Sequence, residues 1–153
     1  MRLITLGLFI IALSACSSDS TSEPEEEVMT DDMKETSTEY SCEDSDHPNV
    51  GQMAILSTLS HQVAGQVLIK DNCTLEVTSF TYDGGGPAVY FYGGIDGDYE
   101  SAGFPIGNEI NGMVFDNDTL IIKLPDPVHL DKMNGVSVWC ADFAVSFGDG
   151  LFQ

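Results

Sequence analysis

The chain has 153 residues, with 25 acidic side chains against 5 basic ones and a formal charge of −20. A field of that sign excludes nucleic acid as a partner and disfavours anionic membrane surfaces. Four cysteines, 15 glycines and a single tryptophan frame the chemistry left open, and the length after the N-terminal segments allows one domain with a core of its own.

The first element is a targeting segment: Arg2, an almost wholly apolar run from Leu3 to Leu13, then Leu13-Ser14-Ala15-Cys16. The run is too short to cross a bilayer as a helix, which needs about 17 to 25 residues. It has the form of a cleavable signal, residues 1–15. Its last four residues look like a bacterial lipobox, in which Cys16 is acylated and becomes the mature N-terminus. Each buried CH₂ contributes about 0.8 kcal/mol and two acyl chains anchor stably, so the expected partner is a lipid bilayer reached through acylated Cys16. The expected location is the bacterial cell envelope, in the outer membrane with the domain facing the periplasm or the surface.

Residues 16–46 are Ser, Thr, Glu and Asp with twelve acidic side chains and one lysine, Lys34. Such a composition cannot bury a core, and its charges repel, so it reads as an extended, disordered stalk. From His47 to Gln153 the pattern changes to that of a folded domain with thirteen acidic residues and three lysines, Lys70, Lys123 and Lys132.

Met53 to Leu59 spaces Met53, Leu56 and Leu59 as a short helix would. Val63, Val67 and Ile69 alternate with polar residues, and Leu75 and Val77 do so after Asp71-Asn72, which predicts a tight hairpin. Further strands are expected at Ala88–Tyr92, Met113–Phe115, Thr119–Leu124, Gly135–Cys140 and Phe143–Phe147, with a helical turn at Val128–Met133. Seven or more strands separated by Gly, Asp and Asn turns predict an all-β antiparallel sandwich or flattened barrel. In the last run, a bulge at Ala141-Asp142 would bring Val136, Val138, Cys140, Phe143, Val145 and Phe147 onto one core face and turn Trp139 away. Without it, both faces are covered and Trp139 is the buried residue.

With Cys16 acylated, three cysteines remain in an oxidising compartment. Pairing of Cys42 with Cys73 would staple the start of the domain to its first hairpin and leave Cys140 free, although spacing alone does not fix connectivity. His47, His61 and His129 are scattered, with structural or surface roles as the default, and no zinc spacing is present. Gly84-Gly85-Gly86 lacks the Lys-Ser/Thr of a phosphate loop and leads into a strand, so it reads as a turn admitting positive φ. The alternating acids Asp96, Asp98 and Glu100, and Asp116 and Asp118, read as solvated turns rather than calcium loops. Cys140 has no following histidine for blue copper, there is no Cys-x-x-Cys-His for covalent haem, and no serine has a nucleophile-elbow context.

Four segments stand out: His61-Gln62-Val63-Ala64-Gly65, Phe80 to Tyr92 with Tyr82-Asp83-Gly84-Gly85-Gly86-Pro87 and Tyr90-Phe91-Tyr92, Leu124-Pro125-Asp126, and Ser137-Val138-Trp139-Cys140 running on to Phe147-Gly148-Asp149. In order and spacing they resemble the DM-thirteen domain, which occurs with DOMON and cytochrome b-type modules in animal and plant proteins and alone in bacterial lipoproteins. The resemblance spans about His61 to Phe152. It implies a β-rich domain acting in electron transfer or redox reactions through Cys140, beside Trp139, with a redox or envelope protein as partner. Ala88 stands where many members have Asp. The alternative is a non-catalytic binding or surface-structure module that uses Tyr82, Asp83, Gly84, Gly85, Gly86, Pro87, Tyr90 and Tyr92 as one face. Either reading makes a module rather than a turnover enzyme.

Overall fold

The computed structural model describes residues 39–153; the signal segment, the lipobox with Cys16 and most of the acidic stalk lie outside them. Eight strands and one helical turn follow in order: β1 Met53–Leu56, β2 Ala64–Asp71, β3 Thr74–Tyr82, β4 Val89–Gly94, β5 Phe104–Ile106, β6 Phe115–Lys123, α1 Val128–Asp131, β7 Gly135–Cys140 and β8 Val145–Leu151. They form two four-stranded antiparallel sheets, ordered β1-β2-β3-β6 and β5-β4-β7-β8, and the protein is an all-β sandwich.

The core lies between the sheets and is built by alternation. Val67 and Ile69 of β2 face Leu75, Val77, Phe80 and Tyr82 of β3, and opposite them stand Val89, Phe91, Val136, Val138 and Cys140. Burying side chains of this size stabilises by about 1.5–3 kcal/mol each. The β2–β3 hairpin turns at Asn72-Cys73, one residue later than the composition suggests.

Three expectations are corrected. Met53–Leu59 is not helical: Ala54 and Leu56 are buried while Met53 and Ile55 are exposed, a period of two that pairs β1 with β2. The run from Val136 to Phe147 is not one bulged strand. It is a hairpin whose turn is Ala141 to Ala144, leaving Phe143 exposed at the tip and Val145 partly exposed. The bulge lies elsewhere, because Val138 pairs with Gly148 and Trp139 with Ser146, which makes Phe147 the extra residue and tips it into the core. Finally, Met113 and Val114 are exposed and precede β6 rather than belonging to a strand.

The two long sides of the sandwich differ. On one, β1 is zipped to β8 and the C-terminus by Met53 N to Gln153 O (3.0 Å), Gln153 N to Met53 O (3.1 Å) and Ser57 N to Asp149 O (2.7 Å). On the other, β6 and β5 are the free edges of their sheets, and among the described residues no backbone hydrogen bond joins them.

At one end, Cys42 and Cys73 are joined, with Cα atoms 5.0 Å apart. Asn72, fully buried, donates to Ser41 O and Asp46 Oδ1 (both 2.8 Å) and accepts from His47 N (2.9 Å). Ser41, Cys42 and Asp46, which composition assigns to the stalk, are thus tied to the folded unit.

Candidate functional site

Cys140 ends β7, the strand between β4 and β8, at the opposite end of the sandwich from the disulfide. Its Cα partner across the sheet is Val89, and it is fully buried. Its Sγ donates to Pro87 O at 3.0 Å, and Ala141 N donates to Ala88 O at 2.9 Å. Two hydrogen bonds, one from the thiol and one from the next backbone amide, therefore hold this end of β7 to the loop between β3 and β4.

That loop needs its glycines. Gly84 and Gly86 have φ of +80° and +91°, and a Cβ on Gly86 would stand 2.8 Å from the Phe147 ring. A Cβ on Gly85 would collide with His61 Nδ1. The loop is thereby pressed beneath two rings, His61 and Phe147, whose centroids are 4.1 Å apart. Tyr82 closes the inner side, donating from its hydroxyl to Gly85 O. Asp83 accepts from Gly85 N at 2.8 Å and sits 3.0 Å from His61 Nδ1.

Electrostatics follow from this packing. Burial, reinforced by Asp83 and Cys140, pushes Tyr82 up to about 12. The Gly85 amide, with help from His61, outweighs desolvation and holds the Asp83 carboxyl below the usual range. Backbone strain gathers here too: His61, Gln62, Ala88 and Ala144 have φ between +45° and +57°, the left-handed region in which a side chain costs of order 1 kcal/mol or more. Ala88 has no side-chain polar group to ease that conformation locally, as Asn or Asp would.

The residues singled out from sequence divide into two groups. Tyr82, Asp83, Gly84, Gly85, Gly86 and Pro87 do gather around Cys140. Tyr90, Tyr92 and Trp139 do not: strand alternation sends them to the outer face of the second sheet, where Trp139 packs against Tyr92 and Tyr99 at 6.0 Å each and Tyr90 lies 6.4 Å from Tyr92. The run from Tyr82 to Tyr92 is therefore not one binding face. Trp139 is Cys140's neighbour in sequence but lies across the sheet from it, and it is buried there beneath the two tyrosines.

His61, expected from sequence to have a structural or surface role, stands at the site instead. A signal existed, since the hairpin turn at Asn72-Cys73 lies midway between His61 and Asp83, so pairing of β2 with β3 must bring them together. Asp83 N indeed donates to His61 O at 3.1 Å. The turn reading holds for the run at Asp96 and Asp98, where Ser101 N donates to Asp98 Oδ1, but Asp116 and Asp118 lie within β6, where Asp116 N donates to Asp118 Oδ2 beside an irregularity in the pairing with β3. Among the described residues, no three His, Cys, Asp or Glu side chains are grouped to hold a metal ion.

The described residues form an all-β sandwich in which one buried thiol is held under a glycine loop. Residues 55–151 match the family model described as Electron transfer DM13, and the chain belongs to that family. It is similar to Protein Skeletor, isoforms B/C, of Drosophila melanogaster, 34% identical over 113 residues that cover 69% of this chain and 14% of that protein. It is also similar to a cytochrome b561, DM13 and DOMON domain-containing protein of Arabidopsis thaliana, 29% identical over 107 residues, 68% of this chain and 12% of that protein. The chain thus spans about one seventh or less of the length of these relatives. No solved structure matches it.

Proposed function

We propose that this chain is a lipid-anchored electron-transfer module of the cell envelope and that Cys140 is its redox-active group. The observation that carries the reading is the contrast between its sulfurs: two are joined in a disulfide, while the third is a buried thiol held to Pro87 O beside Tyr82. With no solvent contact, this sulfur is shielded from diffusible thiols and peroxide. Exchange therefore takes place with a group brought to the Cys140 end by a partner. The name of the Arabidopsis relative puts a DM13 domain in one chain with a cytochrome b561, which supports a cytochrome-like partner here. The organisation that goes with this reading is a signal at 1–15, an acylated Cys16 leading an acidic tether whose last residues, Ser41 to Asp46, are already fastened to the DM13 domain that follows over 47–153.

The test uses the full chain, with Cys140→Ser and Cys140→Ala beside it. A reversible voltammetric signal is expected in the wild type and lost in both variants while circular dichroism is unchanged. A wild type that is redox-silent over the physiological range overturns the reading. For the anchor, Cys16→Ser is expected to move the protein from the membrane to the soluble fraction and to abolish fatty-acid labelling.

A second reading has its own observation. Tyr90 and Tyr92 are half-buried beside Trp139, an aromatic ledge on which a sugar ring can stack. Glycan binding that is lost in Tyr92→Ala and indifferent to Cys140→Ser would favour a binding module.

A further inference from the structure

The open side of the sandwich has the properties of a strand-binding groove. Leu124 N donates to Cys73 O at 2.8 Å, and Thr74 pairs with Lys123, Leu75 with Ile122 and Glu76 with Ile121. Antiparallel pairs alternate between bonded and non-bonded, so Lys123 and Ile121 occupy the non-bonded positions. Their N–H and C=O groups point away from β3, into the gap that faces β5 and the loop after it. Both residues line a cavity of about 420 Å³ there, with Phe91, Ile110, Leu120 and Ile122 as its apolar wall.

The Lys123 ammonium is turned out of this gap onto Thr74 Oγ1 on the outer face of its own sheet. The outward main chain of Ile121 and Lys123 thus joins Asn108 and Glu109 in the polar wall, and main chain is what an extended peptide recognises. At its Phe115 end the gap meets a second hollow of about 300 Å³ bounded by Tyr82, Asp83 and Asp116. That hollow is acidic. The domain as a whole carries three lysines and no arginine against its many carboxylates, which opposes a second copy of the chain as occupant and favours a basic one.

We propose that this open seam is the docking groove for an extended, basic-and-apolar segment of a partner protein, which adds to β6 as a strand. Its alternate apolar side chains enter the cavity and its basic side chains meet Asp83 and Asp116. Such a segment closes the seam as β1 and β8 already close the other, and ends beside Tyr82 at the Cys140 end. The proposal does not depend on Cys140 being redox-active.

The probe is an acetylated, amidated seven-residue peptide of alternating lysine and valine, titrated into the full-length chain and followed by amide NMR. Two controls are the same peptide with glutamate for lysine and the lysine–valine peptide N-methylated throughout its backbone. The expected result is selective shifts at the Ile121 and Lys123 amides, with affinity at least tenfold above both controls. Ile121→Pro removes an N–H that faces the gap and is expected to abolish the shifts with the fold kept; if it does not fold, the N-methylated control decides alone. Absence of shifts in β6, or equal binding by the N-methylated peptide, overturns the proposal. So do shifts that arise on raising protein concentration without peptide, with a dimer by sedimentation, which would give the seam to a second copy.

Discussion

The nine residues of β3, about 30 Å of extended chain, connect two ends that hold sulfur in opposite ways. At the Cys73 end the chain is stapled by the disulfide to Cys42 and by buried Asn72, all of whose side-chain bonds are made within the protein. At the Tyr82 end the sulfur of Cys140 is free, and the surrounding loops are held in conformations that side chains rarely adopt. Order at the first end comes from a covalent bond and a satisfied polar network. At the second it comes from packing of Phe147, His61 and Tyr82 over glycines, with no covalent link. One end is thus held by a covalent bond and the other by side-chain packing around a free thiol.

The sharpest way to break this contrast is to remove the staple. Cys42→Ser with Cys73→Ser frees a loop with a sequence separation of 31 and is expected to lower stability by about 3–4 kcal/mol, read as a fall in the urea midpoint. A smaller but more localised effect is expected at the other end from Gly86→Ala. The new methyl meets Phe147 at 2.8 Å in a residue with φ of +91°, so the cost is about 2 kcal/mol. This variant is also expected to raise the rate at which Cys140 reacts with a thiol reagent under native conditions, because the lid over it is pushed open.

Cys140→Ala is expected to cost about 1–2 kcal/mol, from the small cavity and from the loss of the donor to Pro87 O. A denaturation midpoint shifted by less than half as much as in the disulfide variant would keep the ranking of the two ends. Smallest at neutral pH, but diagnostic, is the pH dependence. Tyr82 and Tyr99 keep their protons in the folded state to about 12, both chiefly through burial. The stability they contribute is fully present below the ordinary tyrosine value of about 10 and is lost as pH rises through about 12. An ultraviolet titration is therefore expected to show two of the five tyrosines ionising only together with unfolding. Asp83 has the opposite sign: its contribution is present above the ordinary carboxylate range and is lost as pH falls through its depressed value.

Much of the fold was legible because the long strands obey their period. β2, β3 and β7 each alternate or run apolar between turn residues, and the sheets place them as that pattern requires. Where the pattern was short or ambiguous it misled. Met53 and Leu56 are three apart, a spacing shared by a helix turn and by a four-residue edge strand, and β1 became the latter only because β2 and β8 offered it partners. β5 is three residues long, too few to show a period. The hairpin at Ala141–Ala144 was hidden by Phe143, an aromatic that reads as core and is left at the tip.

Composition, spacing and alternation alone carry the class of the domain, the family to which it belongs and the glycine turn at Gly84 to Gly86. These are encoded locally, in alternation, in spacing and in residues whose backbone freedom is intrinsic. Only the tertiary structure decided that Cys140 and Trp139 stand on opposite faces, that Tyr90 and Tyr92 leave the site, that His61 joins Asp83 above the loop, and that one side of the sandwich is zipped while the other is open. Those outcomes depend on register, on the bulge at Phe147 and on which strand edges find partners, and such contacts are set between segments far apart in the chain.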